Sequence, residues 1–148
     1  MNKISIASLL VLTAAFVGCS SKSEYVRKGE IQQTISQQPE SKRYFEAIGI
    51  GAADPTLTNV TQKRATSRNA AVVQAQYEML SMIKGVQVEG GITVEKAIET
   101  NSLLETNIKE VIRGAEIVKS EWTKDDGCLV TLRLEKKKLE SAGIKFAS

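Results

Sequence analysis

Two glycines set two residues apart, Gly49 and Gly51, lie inside the run Tyr44-Phe45-Glu46-Ala47-Ile48-Gly49-Ile50-Gly51-Ala52. Alternate residues of a strand point to one face, so both glycines leave that same face low. A strand hollowed on one side needs a bulky neighbour seated close against it, most simply a helix, and the chain supplies one. Beyond Asp54-Pro55, which breaks the strand, Thr58 and Asn59 are both N-cap types. From there to about Lys84, Ala71, Ala75, Met79 and Met82 recur at helical spacing, with Val72 and Ile83 widening the stripe. Lys63, Arg64, Arg68, Gln74 and Glu78 supply much of the polar remainder, and Gly85 closes the pattern as a C′ residue.

The rest of the chain is read against this pair. Val86, Val88, Ile92 and Val94 alternate with Gln87, Glu89 and Thr93, the pattern of a half-buried strand, softened where Gly90-Gly91 permit a bulge or sharp coil. From Ser102, the residues Leu104, Ile108, Val111 and Ile112 form a second, shorter helical stripe closed by Gly114. Residues 115–123 read as a strand carrying Ile117, Val118 and Trp122. Asp125-Asp126-Gly127 is hairpin chemistry, and Cys128, Val130, Leu132 and Leu134 share one face of the returning strand. Residues 135–148 are charged and read as a short helix followed by a tail. The expected architecture is α+β: a small antiparallel or mixed sheet of three or four strands, with the long helix across one face and a shorter helix beside it.

The N-terminal end reads as an address. Lys3 is a positive n-region, and the uncharged, mostly apolar residues 4–18 follow. About fifteen residues at ~1.5 Å rise span roughly 22 Å, short of a hydrocarbon core of about 30 Å. A secretory h-region fits better than a membrane span. The run ends Phe16-Val17-Gly18-Cys19-Ser20-Ser21, which resembles a bacterial lipobox with Phe16 where Leu is usual. An ordinary signal peptide that happens to contain a Cys is the plainer alternative. Under the lipobox reading, residues 1–18 are a lipoprotein signal peptide and Cys19 is the lipid attachment site. Ser20, not Asp, follows the Cys, which points to the outer membrane of a didermal bacterium. Residues 19–43, rich in Ser, Gln, Lys and Glu, have the composition of a flexible tether with an r.m.s. reach of about 25–30 Å. A short helix, or an arm ordering on assembly through Tyr25, Val26, Ile31 and Ile35, is the alternative there. Residues 44–148 form the single α+β domain.

Other candidate chemistry is thin. The chain has no His, which removes the commonest general base and metal ligand. Gly49-Ile50-Gly51 before a helix looks superficially like a phosphate loop, but the third glycine is missing and Asp54-Pro55 intervenes. Cys128 has no His to activate it and reads as a buried thiol, with an intermolecular disulfide as the other option. Asp125-Asp126 reads as a turn before a cation site. Lys136-Lys137-Lys138, flanked by Glu135 and Glu140, reads as a solvated face before a headgroup contact. A net charge of +3 is too small to suggest nucleic acid as the main partner. No catalytic residue, metal site or cofactor is expected, and the chain reads as a non-enzyme.

The motifs Ile48-Gly49-Ile50-Gly51-Ala52, then Arg64, Arg68, Asn69-Ala70-Ala71 and Ala75, then Lys84-Gly85-Val86-Gln87-Val88, then Val111-Ile112-Arg113-Gly114-Ala115-Glu116-Ile117-Val118, and finally Asp126-Gly127 follow one another behind the lipobox. In that order they resemble the Lpp-twenty family of outer-membrane lipoproteins, over most of the mature domain. The resemblance implies a dodecin-like fold, outer-membrane attachment and no catalysis. Members of that family include a flagellar assembly lipoprotein that forms rings or a disk around the motor, and surface lipoproteins linked to host interaction. The expected partners are the membrane through lipidated Cys19, further copies of the chain, and flagellar motor or envelope proteins, with the domain facing the periplasm. The alternative is a surface-exposed lipoprotein that binds a host or envelope partner.

Overall fold

The computed structural model describes residues 43–147. The assigned signal peptide, Cys19 and nearly all of the tether lie outside the described residues. Within them the order is β1 (Tyr44–Gly51), α1 (Val60–Lys84), α2 (Val94–Thr100), α3 (Ser102–Arg113), β2 (Glu116–Trp122), β3 (Cys128–Glu135) and α4 (Lys136–Ser141). β3 is the central strand of the sheet, whose order is β1-β3-β2, and both pairings are antiparallel. The α+β class is as expected, with three strands among the described residues and no mixed pairing.

The glycine hollow is filled as the sequence suggests. Ala71, Ala75, Met79 and Ile83 form the fully buried stripe of α1. A methyl group at Gly49 would overlap the Ala71 carbonyl and the Ala75 amide, and one at Gly51 would overlap the Ser67 carbonyl. Helix backbone therefore rests on strand backbone, with no side chain between them. Asn59 is the N-cap, its side-chain oxygen accepting from the N–H groups of Thr61 (2.8 Å) and Gln62 (3.2 Å). From β3, Cys128, Val130, Leu132 and Leu134 all point into the same core, completed by Ile108 of α3 and Leu139 of α4.

Four expectations need correcting. Val86 to Val94 is no strand: Gln87 and Thr93 make one isolated bridge, and Val88 bridges to Phe146. Gly90 and Gly91 take φ of +97° and +76°, so the chain reverses at once and leaves no length for a ladder. Second, Thr93 then caps the unexpected helix α2, accepting from Lys96 N–H at 3.3 Å. Third, Gly85 ends α1 at φ −76°, in the right-handed region, so it is the cap itself and not a left-handed C′ residue. Fourth, the C-terminal end is no tail. Ile144 is buried and Phe146 packs on Phe45 with ring centroids 6.0 Å apart, because α4 turns the chain back across the core through Gly143 at φ +105°.

Candidate functional site

The residue assigned chemistry in the sequence, Cys19, lies outside the described residues. What the fold adds is the place where the tether arrives. Arg43 precedes β1, and its carbonyl accepts from Lys136 N–H (3.0 Å) at the start of α4. The chain thus enters at the end of the sheet where Tyr44 pairs with Glu135, and the β2–β3 hairpin lies at the opposite end. Lys136 sits over the rings of Phe45 (5.0 Å) and Phe146 (6.0 Å), so its ammonium is held against the domain. Lys137 and Lys138 are exposed.

The other residues weighed in the sequence resolve into structure. Gly49 and Gly51 lie under α1, where a phosphate would meet helix backbone. Cys128 is a free, fully buried thiol opposite Gly51, and burial pushes its pKa up while nearby Arg68 pulls weakly the other way. A thiol held neutral and inaccessible is neither a nucleophile nor placed for an intermolecular disulfide. Asp126 faces a cation, but it is a side chain: its carboxylate accepts from Arg64 Nε at 2.9 Å, and Arg64 also lies 5.3 Å from the centroid of the Trp122 ring. The Ser67 hydroxyl donates to the Asp126 carbonyl (2.8 Å), so the hairpin is tied to the first turns of α1. Asp126 takes φ +62°, which Asp tolerates better than most residues. Among the described residues there is no cluster of three or more His, Cys, Asp or Glu that could hold a metal ion. A shallow cleft of about 240 Å³ lies between Val88, Val94, Ala97, Leu104 and Ile144, with Glu89 and Lys145 also lining it. It is smaller than most ligand pockets and has few polar groups converging on it.

The informative surface is the flank of the sheet. α1 packs over β1 and β3, and β2 is left beside it, touching chiefly β3. Glu116 to Lys119 are exposed, and Ile117 and Val118 are 39% and 41% accessible. The β2–β3 register slips between Ile117 and Lys119, so Val118 is the extra residue of a bulge. Register places Lys119 and Glu121 opposite Thr131 and Leu129, on the face turned from α1, and Ser120 and Trp122 opposite Val130 and Cys128, on the α1 face. Lys119 and Glu121 form an ion pair of 2.7 Å. On that outer face Ile50 and Glu121 flank Leu129, which is 2% accessible although it lies outside the main core. A second exposed apolar area, Val73 and Tyr77, lies on the outer side of α1.

The sequence pattern puts Ile117 and Val118 on a strand without marking them as exposed. The available signal was the pair itself: two consecutive β-branched residues cannot both point inward from a regular strand. Among the described residues no helix is long and apolar enough to cross a membrane. In comparisons with known proteins, no family model, no curated protein and no solved structure matches this chain.

Proposed function

We propose that the protein is a non-enzymatic lipoprotein of the outer membrane, held by acyl chains on Cys19, whose domains associate side by side in the periplasm as a ring or disk supporting the flagellar motor. The anchor part rests on the apolar run closed by Cys19 and Ser20. One acyl chain binds a membrane only marginally, while two or three chains at ~0.8 kcal/mol per buried CH₂ make release negligible. The flagellar part rests on the resemblance to the Lpp-twenty family.

The observation that carries the scaffold reading is the unclad strand β2, with Ile117 and Val118 in solvent on an open sheet edge. Anchoring confines subunits to two dimensions and raises their effective concentration, so modest edge contacts suffice for assembly. Exposed strand edges are natural sites for such contacts.

Cys19→Ala is expected to abolish acylation and move the protein from the detergent phase to the aqueous phase; unchanged partitioning would overturn the anchor. Deletion of the gene is expected to impair flagellation and swimming, and normal motility would overturn the flagellar assignment. The second reading, a surface lipoprotein binding a host or envelope partner, is favoured by Val73 and Tyr77, which lie on a different element from β2. Protease treatment of intact cells separates the two: cleavage of the domain supports the surface reading, and protection supports the periplasm.

A further inference from the structure

We infer that β2 pairs antiparallel with β2 of a second copy about a two-fold axis through Ser120, joining two sheets into one of six strands. This deepens the self-association in the reading above and rests on it, supplying the two-subunit unit that a second contact would link into a ring, since a two-fold contact closes on itself; it does not depend on the lipid anchor.

As an end strand, β2 carries an outer row of backbone N–H and C=O groups that β3 does not use. The order of its side chains identifies what fits that row. The sequence runs Glu116-Ile117-Val118-Lys119-Ser120-Glu121-Trp122-Thr123-Lys124. Reversed about Ser120, the two charges of the regular segment after the bulge meet their opposites. Lys119 lies across from Glu121 of the second copy and Glu121 across from its Lys119. Val118, the bulged residue, comes beside Trp122 of the second copy.

Geometry narrows the register. Directly opposed residues of an antiparallel pair share a face, so a two-fold joining these edges must pass through a residue. Through Lys119 or Glu121 it would set that charge against its own copy. Through Val118 it would put Ile117 against Lys119 and leave the charges without opposites. Ser120 is the position that pairs them, and its small side chain suits the axis. The intrachain ion pair between Lys119 and Glu121 becomes half of an alternating square of four charges on the face turned from α1. α1 sits chiefly over β1 and β3, and reaches β2 through Arg64 over the Trp122 ring. The bulge precedes Lys119, so the segment from Lys119 to Trp122 is regular.

Three changes in the full-length protein, purified in detergent, test this. Lys119→Glu alone and Glu121→Lys alone each place like charges across the axis and are expected to weaken self-association by about tenfold or more. An equimolar mixture of the two variants restores opposite charges in the mixed pair and is expected to associate nearly as tightly as the unaltered chain. Circular dichroism checks that both variants remain folded. Ser120→Cys gives an independent reading, since directly opposed residues stand about 4.5–5.5 Å apart at Cα, within disulfide range. It is expected to yield a covalent dimer on mild oxidation, whereas Ser81→Cys on α1 is not. If the unaltered chain self-associates but Ser120→Cys does not cross-link, or if the charge variants associate normally or fail to complement each other, the β2 assignment falls and the scaffold reading must use another surface. If the unaltered chain stays monomeric at about 100 μM, both fall, while the partitioning test of Cys19 still decides the anchor separately.

Discussion

β1 and β2 flank the same central strand, both antiparallel to it and close to its length, yet they are built for opposite neighbours. β1 gives up side chains at Gly49 and Gly51 so that α1 can lie backbone to backbone upon it. β2 keeps large side chains: Ile117 and Val118 stand exposed, while Trp122 is half-buried against the core beneath Arg64 of α1. A strand stripped of bulk is specified by one partner within its own chain. A strand that keeps its bulk in solvent has surface left over for another.

The sharpest way to break this contrast is to restore bulk on the β1 side. Gly49→Ala or Gly51→Ala puts a methyl group into helix backbone, which cannot yield as a flexible side chain can. Overpacking of that kind costs about 3 kcal/mol or more, a large share of the 5–15 kcal/mol typical of a domain. At roughly 4–8 °C per kcal/mol for a domain of this size, Tm is expected to fall by about 12 °C or more. A loss below about 1 kcal/mol in chemical denaturation would show that α1 can lift without penalty and that the glycines are not there for close approach.

The β1–α1 half was legible in the sequence for the same reason that it is sensitive to mutation. Paired glycines and an Ala/Met stripe are complementary patterns that leave few ways to pack, and both can be read without knowing the topology. The β2–β3 hairpin was legible too, since Asp125-Asp126-Gly127 names the turn and Val130 to Leu134 alternate cleanly. Illegible were features decided by distant contacts. Val86 to Val94 alternates like a strand, but whether alternation yields a ladder depends on a partner, and this stretch has only Phe146 and its own turn. Ile144 and Phe146 look like a frayed end until α4 returns them to the core. The candidate surface on β2 was half legible: two consecutive β-branched residues cannot both point inward, but how far Ile117 and Val118 are exposed depends on where α1 sits over the sheet.

Cys128 lies on the central strand between the two outer ones, opposite Gly51 on one side and Trp122 on the other. Cys128→Ser buries a hydroxyl in place of a soft apolar group and is expected to cost about 1–3 kcal/mol, less than the glycine changes. The thiol also makes stability depend on pH, with a definite sign. Burial raises its folded-state pKa above the ordinary value of 9.0, so the folded protein holds that proton more tightly than the unfolded chain. Its contribution is therefore fully present below about pH 9 and is lost as pH rises through the raised value. Denaturation midpoints compared between the unaltered chain and Cys128→Val are expected to show a constant difference up to pH 9 and an alkaline decline specific to the former. Equal slopes above pH 9 would mean that the thiol titrates as it does in solvent.

The smallest expected effect on stability completes the contrast. Val118→Thr and Ile117→Thr keep the β-branched shape and remove apolar surface from residues that are already about two-fifths accessible. Because that surface faces water in the isolated domain, each change is expected to shift stability by no more than about 0.5 kcal/mol. If β2 is an interface strand, Val118→Thr nonetheless weakens self-association measured by sedimentation, since Val118 then lies beside Trp122 of the second copy. Separation of the two readouts is the diagnostic result. A loss of stability as large as that of Gly49→Ala would instead place Val118 in a packed environment within its own chain. A variant indistinguishable from the unaltered chain in both measurements would mean that the exposed β-branched pair has no partner at all.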